Sequence, residues 1–352
     1  MKIINSVATK VPLTLDEPFT IAYSSIKETT NYFLTLTTNT GLTGFGCSAY
    51  DEEVTGENAT TISSTLENVI IPFLDGKDPL QYASLLDSLY STIPDQPTAL
   101  AAADMALYDL LGKIAQLPVY KLLGGNRNRI KTSITIGIED VQTTVEKALM
   151  WKKRGFLALK LKGGLSLDED IERMIRVREA VSDEIDIYFD ANQGYSIEDA
   201  KKAISNLRHI GATFIEQPCD KTNLDQFKLL QGELPVVADE SVLGPEDALS
   251  LATISKVDLY NIKLAKTGGI RRALQLDAVA QSASSHTMVG CMDEAGLGIA
   301  AALHFCLSSP NVQYADLDGH VEFIDDPSYD SVIIKDGYIY PQDGFGLGAL
   351  IR

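Results

Sequence analysis

Lys162, Asp190, Glu216, Asp239 and Lys263 each close a short apolar run, and they do so at near-even intervals. The steps are 28 residues (162 to 190), 26 (190 to 216), 23 (216 to 239) and 24 (239 to 263). Each interval has room for one helix and one strand. A β/α barrel places the C-terminal ends of successive parallel strands around a single mouth. The spacing therefore predicts that three carboxylates and the lysines beside them converge on one pocket.

The rest of the chain divides around this series. The first fifty residues read as antiparallel strands: IINSVATKVPL, then NYFLTLTTNTG turning at Asn39-Thr40-Gly41, then LTGFGCSAY. Helical patterning follows, with the Ala-rich PTALAAADMALYDLLGKIAQ over 97–116 and VYKLLGG over 119–125, whose glycine pair can end a helix. Strands followed by helices predict an α+β capping domain over 1–125. From Arg129 the rhythm becomes strand, turn, helix, repeated. ITIGI, LALKLK, DIYFDANQG, TFIEQP, PVVADES, LYNIKLAKTGG, HTMVGCM and VQYADLDG supply the strands of a barrel over 126–319. Residues 320–352 leave that rhythm and contain the strand-like SVIIKDGYIY, and they are expected to return to the capping domain.

Composition narrows the function classes. A chain of 352 residues with 45% hydrophobic and 22% charged residues should fold as an ordinary globule of more than one core. No apolar run approaches the length of a membrane helix, and the N-terminus lacks a signal-peptide core, so no membrane role is expected. Cys47, Cys219, Cys291 and Cys306 show no paired spacing and read as reduced residues of a cytoplasmic protein. A net charge of −18 argues against a nucleic-acid partner and agrees either with solubility or with cationic substrates.

The chemistry follows from the strand ends. Side chains alternate along a strand, so Lys160 and Lys162 point the same way and Leu161 the other. Like-charge proximity is expected to lower the pKa of one amine and make it available as a base. Asp190, Glu216 and Asp239 end apolar runs where a buried carboxylate needs a partner. Three on successive strands suit Mg²⁺, with places left for substrate oxygens; ion pairs with the lysines would also satisfy them. Asn192 shares a face with Asp190, Glu240 should point away after Asp239, and both are candidates to support the ligands. Lys263 falls across the barrel from Lys162. A base on each face of a bound carbon acid is what epimerisation needs: one lysine removes the α-proton, the metal holds the enediolate, and the other lysine returns a proton.

In this order, KLK, FDAN, IEQP, ADES and IKLAKTGG resemble the muconate-lactonising branch of the enolase superfamily, and the stretch 97–125 resembles that family's capping region. The resemblance covers essentially the whole chain. It implies an α/β fold, a modified TIM barrel of (β/α)7β form under a cap. It also implies Lys162 and Lys263 as the acid/base pair, Lys160 in support, and Asp190, Glu216 and Asp239 as Mg²⁺ ligands. Within the branch, Asp316-Leu317-Asp318 resembles the paired aspartates of dipeptide epimerases, which hold the substrate's ammonium. Two carboxylates facing one way suit a cation, and a molecule with an ammonium at one end and a carboxylate at the other is a dipeptide. Thr135, Met292, Tyr23 and Asp51 complete the candidates for substrate contact.

Some positions depart from the family pattern. Cys47 stands where relatives often carry Glu. Tyr23 falls where Ala-Glu epimerases have an Arg, and Asp51-Glu52-Glu53 load a capping loop with negative charge. These features favour a basic or neutral dipeptide over L-Ala-L-Glu. The rival readings are an N-acylamino acid racemase, an o-succinylbenzoate synthase or a cycloisomerase on the same scaffold, and, from another class, a catalytically retired binding protein. Homo-oligomerisation is left open by the sequence.

Overall fold

The computed structural model describes residues 1–21 and 24–352. Three strands, β1 (Ile3–Thr20), β2 (Ser25–Thr38) and β3 (Thr43–Ala49), form an antiparallel sheet in chain order. Gly41 takes the left-handed conformation (φ 84°) in the turn between β2 and β3. The helix Pro97–Ala115 lies flat on β3. Gly44 and Gly46 make this possible: a Cβ on either would run into the carbonyl oxygens of Ala106 and Ala102. The close approach of helix and strand thus requires glycine at both positions.

Eight parallel strands follow: β5 (Ile134–Ile136), β6 (Ala158–Lys162), β7 (Asp186–Asp190), β8 (Phe214–Glu216), β9 (Val236–Ala238), β10 (Leu259–Ile262), β11 (His286–Val289) and β12 (Val312–Ala315), after the short β4 (Ile130–Lys131). Each pairs with its neighbour in sequence, and a parallel bridge from Thr132 to Ala315 joins the two ends. Helical segments fill all seven connections, the one between β8 and β9 being a 3₁₀ stretch, Leu224–Leu229. This is the (β/α)7β barrel expected from the sequence.

Alternation along the strands sorts the interior into layers. Ala158, Tyr188, Phe214, Val237, Leu259 and Met288 pack together as one buried cluster, with the Tyr188 and Phe214 rings stacked 4.4 Å apart. Two residues further along β7 and β8 come Asp190 and Glu216. The charged layer therefore rests on an aromatic plug.

The tail differs in detail from the expectation. SVIIKDGYIY is a hairpin, β13 (Val332–Lys335) and β14 (Tyr338–Pro341), and β14 pairs with β4. Asp336 (φ 51°) and Gly337 (φ 74°) both take positive φ, as a tight hairpin turn requires, and Asp-Gly is the dipeptide suited to it. Further on, Val119 donates to Gly346 (2.8 Å) and Leu347 donates to Asp109 of the Ala-rich helix (2.8 Å). Ile324 donates to Thr14 of β1 (3.1 Å). None of the described helices is long and apolar enough to cross a membrane.

Candidate active site

Lys162, Asp190 and Glu216 are direct neighbours in the ladder, paired across β6, β7 and β8. Asp239 lies just beyond β9, where Glu216 is level with Val237. Ligand oxygens of Asp190, Glu216 and Asp239 lie within 4.8 Å of one another, all buried. Burial and the neighbouring Asp190 push Glu216 up to about 8. Burial would raise Asp190 too, but Lys162 and Lys160 hold it down to about 2. Among the described residues, Glu216 Oε2 and Asp239 Oδ2 meet only the ammonium groups of Lys160 and Lys263, 2.8 and 2.7 Å away. Buried, mutually repelling carboxylates held only by ammonium groups fit a divalent cation, and oxygen-only donors of this kind are those Mg²⁺ takes.

Beside this group, with Lys160, Lys162 and Lys263 between, lies a cavity of about 100 Å³. Lys162, Lys263, Asn192 and Glu240 line its floor. Asp316, Asp318 and Thr135 form one wall, with Asp51, Cys291, Met292 and Asp293 elsewhere in the lining. Leu15, Phe19, Ile21 and Ile26, from β1 to β2, bring an apolar cover. Tyr23 lies outside the described residues.

Lys160 lies in the same cavity but is tied down. Its Nζ is 2.9 Å from Asp316, 2.8 Å from Glu216 and 3.1 Å from Asp190. Burial would lower it, yet Asp316, Glu216 and Asp190 together raise it well above the usual lysine range. The expectation that like charge would depress one amine fails for Lys160, because acids outnumber the bases around it. Glu240 is a second correction. It was expected to point away, but it is 4% exposed and lines the cavity. Strand β9 ends at Ala238, and Gln217 Oε1 accepts from both Asp239 N (2.9 Å) and Ser241 N (3.2 Å). The chain turns there, so strand alternation no longer decides direction.

The aspartate pair lies just past β12. Asp316 accepts from Ser133 Oγ (2.6 Å) as well as from Lys160, and Asp318 accepts from Thr135 N (2.6 Å). Burial and Asp316 push Asp318 up to about 7. An ammonium placed between the two would relieve that repulsion. Of the acidic loop 51–53, Asp51 lines the cavity and caps the short helix Glu52–Thr55, while Glu52 and Glu53 are exposed in its first turn.

Several contributors were missed in the sequence. Asn261 Nδ2 donates to Glu216 Oε1 (2.6 Å), Lys266 Nζ donates to Asp239 Oδ1 (2.6 Å), and Gln217 fixes the turn after β9. Gln217 and Lys266 sit inside IEQP and IKLAKTGG, so the signal was present without an assigned role. Asp293 and Glu322 also line the cavity. Nothing in their local sequence marks them.

Residues 3–124 match the family model of the mandelate racemase / muconate lactonizing enzyme N-terminal domain, and 143–352 match the enolase C-terminal domain-like model. The chain belongs to this family. Among its relatives, an L-Lys-D/L-Arg epimerase of Desulforapulum autotrophicum is 40% identical, with 99% of each chain covered. A hydrophobic dipeptide epimerase of Enterococcus faecalis is 37% identical over 86% of each. The dipeptide epimerase of Methylococcus capsulatus, solved with Mg and L-Arg-D-Lys, superposes with a TM-score of 0.96 at 34% identity, covering 99% of this chain and 100% of that one. Both the cap and the barrel of the family are thus represented here.

Proposed function

We propose that this chain is a Mg²⁺-dependent dipeptide epimerase acting on the α-carbon of the C-terminal residue. The observation that carries the reading is the placement of Lys162 and Lys263. They end the second and sixth of eight strands, on opposite sides of the mouth, and both line the cavity with the carboxylate triad between them. A cation held by Asp190, Glu216 and Asp239 would neutralise charge developing on the substrate carboxylate. The lysines then do the proton work. One Nζ takes the α-proton as the C–H bond breaks, and the other gives a proton to the opposite face. Inversion follows from their opposition. Asp316 and Asp318 hold the substrate's ammonium.

The wall also favours a cationic substrate. Asp51 and Asp293 lie close to each other, burial pushes Asp293 up to about 6 with Asp51 adding to it, and both lysines act on Asp293. The epimerised residue's side chain would extend toward this pair. Glu322, beyond Asp318 in the chain, lines the cavity as well. Lys or Arg side chains would find partners there, whereas a glutamate side chain would meet like charge. The reading also places the chain in the cytoplasm, on its four free thiols, and away from nucleic acid, on its net charge of −18.

The test is a dipeptide panel incubated in D₂O with Mg²⁺. Deuterium should enter only the C-terminal α-position, with the epimer appearing, and L-Lys-L-Arg should exceed L-Ala-L-Glu in kcat/KM. Faster turnover of N-acylated amino acids would move the assignment to a racemase. A preference for L-Ala-L-Glu would end the cationic reading and leave epimerisation standing.

A further inference from the structure

We propose that Lys266 is the residue that positions Asp239 for the cation, a task distinct from that of Lys263; this rests on the Mg²⁺ reading above. The two lysines begin and end one helical turn after β10, three residues apart, so their side chains share a side. Both reach Asp239, one at each carboxylate oxygen. Lys263 lines the substrate cavity. Lys266 is 1% exposed and borders instead a second cavity, between the barrel and the cap residues Tyr90 and Leu100.

An ammonium has three donors and no acceptor. Those of Lys266 go to Asp239 Oδ1 (2.6 Å), to the Asp239 carbonyl (2.7 Å) and to the Asn261 carbonyl (3.0 Å). Two of the three acceptors belong to one residue, so Lys266 clamps the Asp239 side chain against its own backbone. The third ties that clamp to Asn261, whose amide holds Glu216. With Oδ1 committed to Lys266, Oδ2 is the oxygen on the cavity side, facing Lys263 Nζ at 2.7 Å. The clamp thus selects which oxygen faces the cation. Two effects oppose each other when Lys266 is removed: losing a positive charge strengthens the pull on a cation, and freeing the carboxylate weakens it. Three short contacts, two to Asp239 itself and one to the strand of Asn261, make orientation the larger effect.

The experiment titrates Mg²⁺ alone into the full-length chain by calorimetry, for the native protein, Lys266→Met, Lys266→Gln and Lys263→Ala. Outer partners of metal ligands typically affect affinity roughly 10–100-fold, and a loss of that size is expected for both Lys266 variants. At saturating Mg²⁺ their α-proton exchange should return to within about tenfold of native, since Lys266 moves no proton. Lys263→Ala should bind Mg²⁺ no more weakly than the native chain, because it removes an ammonium from Asp239 Oδ2, and should lose epimerisation while exchanging the α-proton of one epimer only. Native or tighter Mg²⁺ binding in folded Lys266 variants overturns the clamp. If neither folds, Lys266→Arg decides: its planar fork keeps the charge but not the three-way geometry, so weakened binding supports the clamp and native affinity overturns it. A native chain that binds no Mg²⁺ would instead refute the metal reading itself.

Discussion

Lys160 meets Asp316 over the intervening first strand, Nζ to Oδ2 at 2.9 Å, joining the second strand to the last. The contact separates two aspartates that look equivalent in the sequence. Asp316 is committed to Lys160 and Ser133, whereas Asp318 receives Thr135 N on one oxygen and, among the described residues, has only the Cys291 thiol, at 3.8 Å, beside the other. Asp318→Asn should therefore raise KM for dipeptides with little change in Mg²⁺ affinity. Loss of one charge-assisted contact is worth about 1.5–3 kcal/mol, or roughly 10–150-fold. Asp316→Asn should lower kcat as well, because it also loosens Lys160. Equal effects of the two changes on both kinetic constants would contradict this division.

Removal of the metal should abolish turnover, and Mg²⁺ should restore it. The physical reason is the repulsion among Asp190, Glu216 and Asp239, all buried with their ligand oxygens within 4.8 Å of one another. The same repulsion implies that Mg²⁺ raises the melting temperature of the native chain. Glu216→Gln should reduce that rise by removing one charge from the ligand set. Calorimetric scans with and without Mg²⁺ measure it, and full activity after exhaustive chelation would count decisively against the site.

Lys162→Ala and Lys263→Ala should each fold and each lose epimerisation. A lost general base or acid costs roughly 10²–10⁴-fold. The two variants should differ in which epimer still exchanges its α-proton with D₂O, because each retains the lysine on one face only. Exchange of both epimers by the same variant would show that the lysines do not divide the faces between them.

The strand ends were legible because alternation and spacing are one-dimensional: Lys162, Asp190 and Glu216 appear in sequence at the intervals that a barrel sets level with one another. Legibility stopped where the chain leaves the strand. Glu240 follows a turn fixed by Gln217, so its direction depends on a side chain 23 residues earlier (217 to 240). Asp293 and Glu322 reach the cavity from loops, whose direction no periodicity encodes. The acidic wall was expected from residues 51–53, yet Glu52 and Glu53 turn to solvent because Asp51 caps the helix they begin.

That wall makes a prediction of its own. Asp293→Asn and Glu322→Gln should each lower kcat/KM for L-Lys-L-Arg roughly 10–100-fold while leaving an uncharged dipeptide such as L-Ala-L-Ala within about threefold. Parallel assays of the two substrates separate recognition of charge from damage to the site. Equal losses on both would mean that these carboxylates serve structure.

The last prediction concerns acid stability and lies away from the site. His304 is 1% exposed, on the buried helix Gly296–Ser308. Its Nδ1 accepts from Tyr120 N (3.1 Å), and its Nε2 is 3.1 Å from the Leu347 carbonyl, to which it must donate. Both nitrogens are thus satisfied by the neutral ring, and a second proton would face an N–H. Burial pushes the imidazole down to about 4 from its usual 6.5. The sign follows from linkage. In the unfolded chain the ring takes a proton as pH falls below about 6.5, but the folded chain refuses it until about 4, so acid favours unfolding across that window. At pH 5 the cost is about 1.5 pH units at 1.36 kcal/mol each, or about 2 kcal/mol. His304→Gln keeps an acceptor and a donor without the titration. Denaturant unfolding at pH 7.5 and pH 5 should show the native chain losing about 2 kcal/mol more than the variant. Parallel losses in the two proteins would show that His304 does not titrate in this window.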